Sequence, residues 1–249
     1  MFRRGFGGPP RHHHHHHHHP PPGRGLGGFL AGMATVAAGA AVAGLVVKSL
    51  NPPRHMSKTQ SQSYSQYHST TTQWMGAQYG SVISTQEAQI QQRFVALDTD
   101  RSGFVDEGEI SRGFANNGRV LPLATARKLI RLFDQGLSNG VVGIAEFKYL
   151  DAFINSIRMA FASCDPHRTG RIAYAQLSSV LQAQGFMMTP DMLLALQLGW
   201  DREKMGSVEY FDVIDCAVTL ALCKTLYLRN QAQLGMTFDR YVIMMISFV

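Results

Sequence analysis

Apolar residues recur at every third or fourth position from residue 87 onward, and short polar segments interrupt them. Ile90, Phe94 and Leu97 lead into the first polar segment, and Ile110 and Phe114 follow it. This spacing places the apolar side chains on one face of a helix before and after a loop. Similar units recur at a spacing of about 30 residues, as in helical repeats. The pattern predicts an all-α domain of helix–loop–helix repeats over residues 87–249.

The first polar segment, DTDRSGFVDEGE, has oxygen-bearing residues at the spacing of an EF-hand calcium loop. The predicted ligands occupy positions 1, 3, 5, 7, 9 and 12 of the loop: Asp98, Asp100, Ser102, Phe104, Asp106 and Glu109. Phe104 would contribute its carbonyl, Asp106 would reach the ion through water, and Glu109 would contribute both carboxylate oxygens. An acidic surface turn is the alternative, but Gly103 at position 6 and the flanking helical patterns favour a Ca2+ site. Val105, at position 8, is expected to pair with a neighbouring loop.

The second loop, within DQGLSNGVVGIAEF, can be aligned in two ways. Counting back from Glu146 at position 12 puts Gln135 at position 1 and Leu137 at position 3. Counting from Asp134 makes the loop one residue too long and puts Ala145 at position 12. Either way too few anionic oxygens converge, so no tight calcium binding is predicted there.

The third and fourth loops are degenerate copies of the same motif. The third, DPHRTGRIAYAQ, keeps Asp165 but has His167 at position 3 and Gln176 at position 12, so it is predicted to be structural. The fourth, DREKMGSVEYFD, has Met205 at position 5 and Asp212 at position 12. Asp is too short to close the ion cage as Glu does, so at most weak binding is expected there.

The C-terminal segment contains an apolar helix from Phe238 onward. The loop before this helix is shortened and has no carboxylate ahead of Asp239. A helix this apolar is unstable in water, so it must be buried. The burial could be within the domain or against a second copy of the chain.

Charge divides the chain into two unlike parts. No Asp or Glu precedes Glu87, so residues 1–86 carry a net charge of +7 and the remainder carries −1. A nucleic-acid-binding domain would place its basic residues on a folded element, so no nucleic-acid partner is expected. The three cysteines form no paired pattern, which favours a reducing, cytoplasmic location.

The N-terminal part is predicted to be a disordered, low-complexity tail. A run of eight histidines at 12–19 is a transition-metal ligand set, a purification tag or a neutral tract. Residues 26–47 carry no charge and are long enough to span a membrane, but they are rich in Gly and Ala, so a flexible linker is the alternative. An organelle transit peptide is a further alternative for this acid-free stretch. Residues 51–86 are polar and are predicted to form a disordered linker.

Five EF-hand-like units, a helix through 146–150 that joins the second unit to the third, and a Gly/Pro-rich N-terminus resemble the penta-EF-hand family. The resemblance covers residues 87–249. It implies Ca2+ as the cofactor and dimerisation, with a second copy or a related chain, through the fifth hand. The chain departs from the family pattern in the ligands of its third loop and in its shortened fifth hand.

These features predict a calcium-responsive adaptor without enzymatic activity. No nucleophile–base arrangement or phosphate-binding glycine loop is present. The adaptor would bind a peptide of a protein partner when calcium reorients its helices, and residues 26–47 would place it at a membrane. Two alternatives stay open: a regulatory small subunit of a calpain-like cysteine protease, and a membrane-anchored structural protein with a constitutive calcium site.

Overall fold

The computed structural model describes residues 58–134, 139–201 and 204–247, which fall in one compact unit. Within these ranges the helices are α1 (Lys58–Leu97), α2 (Glu107–Gly113), α3 (Leu123–Phe133), α4 (Ile144–Cys164), α5 (Tyr174–Ala183), α6 (Pro190–Trp200), α7 (Tyr210–Leu234) and α8 (Phe238–Ile246). The short strands are β1 (Phe104–Val105), β2 (Val142–Gly143), β3 (Arg171–Ala173) and β4 (Ser207–Glu209). The predicted all-α class of EF-hand repeats is confirmed.

The strands join the loops in pairs. Strands β1 and β2 are antiparallel, with Val105 opposite Val142, and β3 and β4 are antiparallel, with Ile172 opposite Val208. All four side chains are buried. The pairing predicted for Val105 is therefore confirmed, and hands 1 and 2 form one pair while hands 3 and 4 form another.

Local capping explains where several helices begin and end. Asp106 caps α2, since its Oδ1 accepts a hydrogen bond from the Glu109 amide at 2.8 Å. Pro190 occupies the first turn of α6, where its missing N–H costs nothing. Helix α7 ends at Gly235, whose φ of 59° is the left-handed conformation that glycine tolerates best.

Two long helices are each shared by consecutive hands. Helix α4 spans 21 residues and leaves hand 2 to enter hand 3, as the sequence predicts. Helix α7 spans 25 residues and joins hand 4 to a fifth hand. The aromatic core lies beside α4, where Phe147 and Phe153 are fully buried and the Phe147 ring contacts Phe94 edge-on at 5.3 Å.

The prediction of a disordered linker over residues 51–86 is wrong for the part that the structure describes. Helix α1 begins at Lys58 and runs for 40 residues, with one non-helical residue, Gln86 (φ −117°, ψ 15°). Thr71, Met75 and Tyr79 are buried at four-residue spacing, and α1 packs against α4 and α7. A polar sequence can be ordered in this way because partner helices satisfy its hydroxyl groups.

Residues 1–57 lie outside the described residues. They include the histidine run at 12–19 and the apolar segment at 26–47. Among the helices that the structure does describe, none is both long enough and apolar enough to cross a membrane. Membrane contact through residues 26–47 therefore stays a prediction.

Helix α8 is buried within the domain on one face, against α6 and α7. Tyr241, Val242, Met245 and Ile246 are buried there. The Tyr227 hydroxyl of α7 donates a hydrogen bond to the Met236 carbonyl at 3.0 Å, which fastens the short connection before α8. The sequence left open whether the domain or a second copy covers this helix, and the structure shows that the domain covers this face.

Ending the chain after Thr237 is expected to prevent the domain from folding stably. Burial of each large apolar side chain contributes about 1.5–3 kcal/mol, so losing four approaches the total stability of about 5–15 kcal/mol typical of a domain. Circular dichroism melting and light scattering would detect a lost transition or aggregation. Arg240→Ala, an exposed change on the same helix, is the control and should leave the melting temperature nearly unchanged. A truncated chain with the mass and melting temperature of the intact one would contradict this expectation.

Candidate metal centre

The first loop connects α1 to α2 and turns sharply twice. Arg101 and Gly103 have positive φ angles of 59° and 80°. An added Cβ on Gly103 would meet no neighbour within 4 Å, so its backbone conformation, not space, explains the glycine. These turns bring the start of the loop close to Glu109 on α2.

Three carboxylates converge at the centre of this loop. Ligand oxygens of Asp98, Asp100 and Glu109 lie within 4.8 Å of one another. Asp98 accepts hydrogen bonds from the amides of Ser102 and Gly103, both at 2.9 Å. The loop backbone therefore orients the first carboxylate and relieves part of the repulsion among the three acids.

The remaining predicted ligands lie on the same loop in distinct roles. The Ser102 hydroxyl is 3.1 Å from the Phe104 carbonyl oxygen, so the ligand groups of positions 5 and 7 are adjacent. Asp106 stands outside the group of three carboxylates and caps α2 instead. This placement agrees with contact to an ion through water, as expected at position 9.

Glu109 is held in place by its neighbours, with only 4% of its surface exposed. Its Oε1 accepts hydrogen bonds from the amide and hydroxyl of Thr99, each at 2.8 Å, and its Oε2 accepts one from the Asp106 amide at 3.1 Å. Sequence reasoning missed Thr99, and its hydroxyl at position 2 of the loop was the only available signal. Thr99 therefore positions the carboxylate that is predicted to close the ion cage.

Two of the three converging acids, Asp100 and Glu109, favour their ionised forms. Burial alone would raise the pKa of Glu109, but hydrogen bonds from Thr99 and the Asp106 backbone hold that pKa below its usual range. The Ser102 side chain and backbone lower the pKa of Asp100 by hydrogen bonding. Both groups are therefore charged at neutral pH, which is the state that binds a hard cation.

The second loop contains one extra residue, and the structure reconciles its two alignments. Asp134 takes the first position, since its Oδ2 accepts a hydrogen bond from the Gly140 amide at 2.9 Å. Glu146 takes the last position, since its Oε2 accepts one from the Gly143 amide at 3.0 Å, as Glu109 does in loop 1. Because Val142 pairs with Val105, the extra residue must precede Gly140. The ligands that this stretch would supply at 135–138 lie outside the described residues.

The third loop has the backbone of the first. Asp165 accepts hydrogen bonds from the Thr169 and Gly170 amides at 2.8 and 2.7 Å. Burial opposes the ionisation of Asp165, yet these bonds lower its pKa. Gln176 replaces the closing carboxylate, with its Oε1 3.0 Å from the Ala173 amide and its Nε2 donating to the Cys164 carbonyl at 3.0 Å.

The fourth loop also keeps the first-position hydrogen bonds. Asp201 accepts from the Met205 and Gly206 amides at 2.7 and 2.8 Å. Burial and the neighbouring Glu209 carboxylate raise the pKa of Asp212, the residue at position 12. A carboxyl group that resists ionisation is a poor closing ligand, and Glu203 lies outside the described residues.

Comparisons with known proteins give related sequences, although no protein-family model matches the chain. Sorcin from Homo sapiens is 29% identical over 148 residues, which cover 57% of this chain and 73% of sorcin. Penta-EF hand domain-containing protein 2 from Dictyostelium discoideum is 27% identical over 155 residues, covering 62% of this chain and 74% of that protein. Probable calcium-binding protein CML50 from Arabidopsis thaliana is 31% identical over 130 residues, covering 51% of this chain and 36% of CML50. The repeated hands, the helix shared by hands 2 and 3 and these relatives together support the assignment of the chain to the penta-EF-hand family.

Proposed function

We propose that this protein is a non-enzymatic, calcium-responsive adaptor or regulatory protein that binds one Ca2+ in its first loop. The proposal depends above all on the convergence of the Asp98, Asp100 and Glu109 carboxylates within 4.8 Å of one another. Within the ranges that the structure describes, no second group of three such residues lies as close. Ser102, the Phe104 carbonyl and water held by Asp106 would complete the cage.

The choice of calcium follows from the ligand chemistry. Carboxylate, hydroxyl and carbonyl oxygens are hard ligands, and a flexible cage that ends in a bidentate Glu suits Ca2+ better than Mg2+. Relatives described as calcium-binding support the same ion. The ion would join Asp98, at the end of α1, to Glu109 on α2, and β1 would transmit the resulting shift to hand 2.

Calorimetry on the full chain is expected to give one Ca2+ per chain with a Kd of roughly 10⁻⁶–10⁻⁵ M, in the range of EF-hand sensors. The stoichiometry follows from the one loop with a complete ligand set. A titration with Mg2+ is the control for ion selectivity. Two or more sites of similar affinity would contradict the proposal.

The response to calcium would be the binding of a protein partner. An EF-hand sensor converts ion binding into a change of helix orientation that opens an apolar groove for a peptide. Capture of a partner that requires calcium would support the adaptor function. Partner binding that is indifferent to calcium would favour a structural protein with a constitutive calcium site.

A regulatory subunit of a calpain-like cysteine protease is the second candidate. The outer side of α6 carries Leu194 and Leu198, which are 56% and 76% exposed beside Ile243 of α8. A fifth hand of another chain, from a second copy or a larger protease, would cover such apolar residues. Purification at native concentration separates the candidates, because a protease partner would add a second, larger chain.

Deleting residues 26–47 is expected to move membrane-associated protein into the soluble fraction. This segment is the one long uncharged apolar run in the sequence, and it contains no calcium ligand. Fractionation of cells that express the full and shortened chains would measure the change. Replacing the segment with Gly/Ser residues of equal length controls for the spacing. If both chains fractionate alike, residues 26–47 are a linker.

A further inference from the structure

The middle of α1, before the break at Gln86, lies across a groove formed by other parts of the domain. Residues 70–85, here called the cover segment, contact α4, α7, the end of α5 and the turn after it. The groove, here called the aromatic groove, is formed by Phe153, Gln184, Phe186, Lys224 and Thr225. The cover segment therefore occupies a surface that would otherwise be exposed.

Trp74 is the main aromatic contact of the cover segment. Its indole Nε1 donates a hydrogen bond to Thr225 at 3.2 Å, and its ring meets Phe186 edge-on at 6.3 Å between centroids. The ammonium group of Lys224 lies 4.5 Å from the Trp74 ring centroid and 5.4 Å from that of Phe186. The groove thus surrounds an indole with an aromatic ring, a cation and a hydroxyl acceptor, which is a specific site for an aromatic side chain.

Tyr79 provides the second contact, one helical turn beyond Met75. Its hydroxyl donates to Gln184 Oε1 at 2.8 Å, and its ring packs edge-on against Phe153 at 6.2 Å. Gln184 and Met75 are both fully buried. Without the cover segment, an apolar surface with polar groups at fixed positions would face water, and this combination is typical of binding sites.

The cover segment is a weak helix by its own sequence. Gly76 and Gly80 lie in its middle, and a Cβ added to either would meet no atom within 4 Å. Packing therefore does not require these glycines, yet each disfavours the helix roughly fivefold relative to alanine. The break at Gln86 separates the segment from the helix that enters loop 1. A helix with these features can detach while the rest of the domain stays folded.

We propose that the cover segment is an intramolecular ligand of the aromatic groove, and that a partner helix displaces it. The partner helix should carry the same contact residues as the cover segment. These are an aromatic residue like Trp74, an apolar residue directly after it like Met75, and a second aromatic residue five positions after the first like Tyr79. The proposal rests on the adaptor function, because it assigns the surface at which the partner binds. The groove is formed by residues outside loop 1, so its occupation by the segment can be tested without calcium.

The first test uses a fluorescein-labelled peptide of residues 70–85 and full chains in EGTA, with binding followed by anisotropy. Trp74→Ala with Tyr79→Ala should free the groove. The wild-type chain should bind the peptide at least about 100-fold more weakly, because its own segment competes at an effective concentration of about millimolar. The same peptide with both aromatic residues changed to alanine is the control and should not bind. A folded double variant that takes up no peptide, or binding equal to that of the wild type, would overturn the proposal.

If the double variant does not fold, hydrogen exchange of the full chain tests whether the cover segment opens separately from the rest of the domain. Amides of residues 70–85 should exchange at least about tenfold faster than those in the middle of α4, since the segment opens locally. Gly76→Ala with Gly80→Ala should slow exchange in the segment alone. If these amides exchange only together with α4, the segment is core and the proposal fails. Every measurement is made without calcium, so failure here leaves the calcium function untouched.

Discussion

Glu109→Gln is expected to abolish calcium binding by the first loop, with at least a 100-fold loss of affinity. The substitution keeps the size of the side chain but removes a charge and one of the two oxygens that close the cage. Calcium should then no longer raise the melting temperature. In the wild type the stabilisation should reach about 2.7 kcal/mol when calcium is a hundredfold above Kd. Calorimetry and thermal melting with and without calcium would measure both effects.

Glu107→Gln is the matched control for this experiment. Glu107 lies in the same first turn of α2, but it pairs with Arg127 at the surface and lies outside the group of three carboxylates. Its loss should change the calcium affinity by no more than about threefold, since salt screens exposed charges. An equal loss in both variants would mean that net charge, not coordination, holds the ion. Unchanged affinity in Glu109→Gln would place the ion elsewhere.

Acid should release the ion at a pH below the ordinary range of carboxylates. The pKa values of Asp100 and Glu109 are lowered in the folded chain, so these groups stay ionised as the pH falls toward their usual values. Their contribution to stability is complete above the unfolded-state pKa and is lost as the pH falls through the folded-state pKa. The calcium affinity of the first loop is therefore expected to stay unchanged near neutral pH.

The sequence predicted those features that depend on local spacing. Loop ligands at fixed offsets identified the first loop, and position 8 identified the Val105 pairing, because a short loop has only one way to present these groups. The second loop was ambiguous because one alignment fitted its first residue, Asp134, and the other fitted its last residue, Glu146. The structure places Asp134 at the first position and Glu146 at the last. Gly140 lies six positions after Asp134, whereas Gly103 lies five positions after Asp98.

The sequence failed where order depends on distant partners. Thr71, Trp74 and Tyr79 lie in polar surroundings, and the composition of the segment indicates disorder. Thr71 and Tyr79 are buried and Trp74 is partly buried because they bond to Thr225 and Gln184, which are more than a hundred residues away. No local sequence pattern predicts these contacts, because they form only when α1, α4 and α7 pack together.

His167→Asp combined with Gln176→Glu is expected to create a second calcium site, in loop 3. The backbone there already has the required form, because Arg168 and Gly170 have positive φ angles of 55° and 76°, close to those of Arg101 and Gly103. The Thr169 hydroxyl is 2.9 Å from the Arg171 carbonyl, as Ser102 is from Phe104 in loop 1. What the loop lacks is charge at positions 3 and 12, and the two substitutions supply it.

Calorimetry on this double variant should change the stoichiometry from one calcium per chain to two. The new site should be the weaker one, because Ala173 stands at position 9, where loop 1 has Asp106, and affinity follows the number of charged ligands. Adding Glu109→Gln should leave only the new site, which assigns each binding event to its loop. His167→Asp alone is the control and should stay at one calcium, because Gln176 supplies neither the charge nor the second oxygen of a closing carboxylate. A stoichiometry of one in the double variant would mean that the loop 3 backbone is not competent. The low affinity of that loop would then arise from its surroundings rather than from two missing charges.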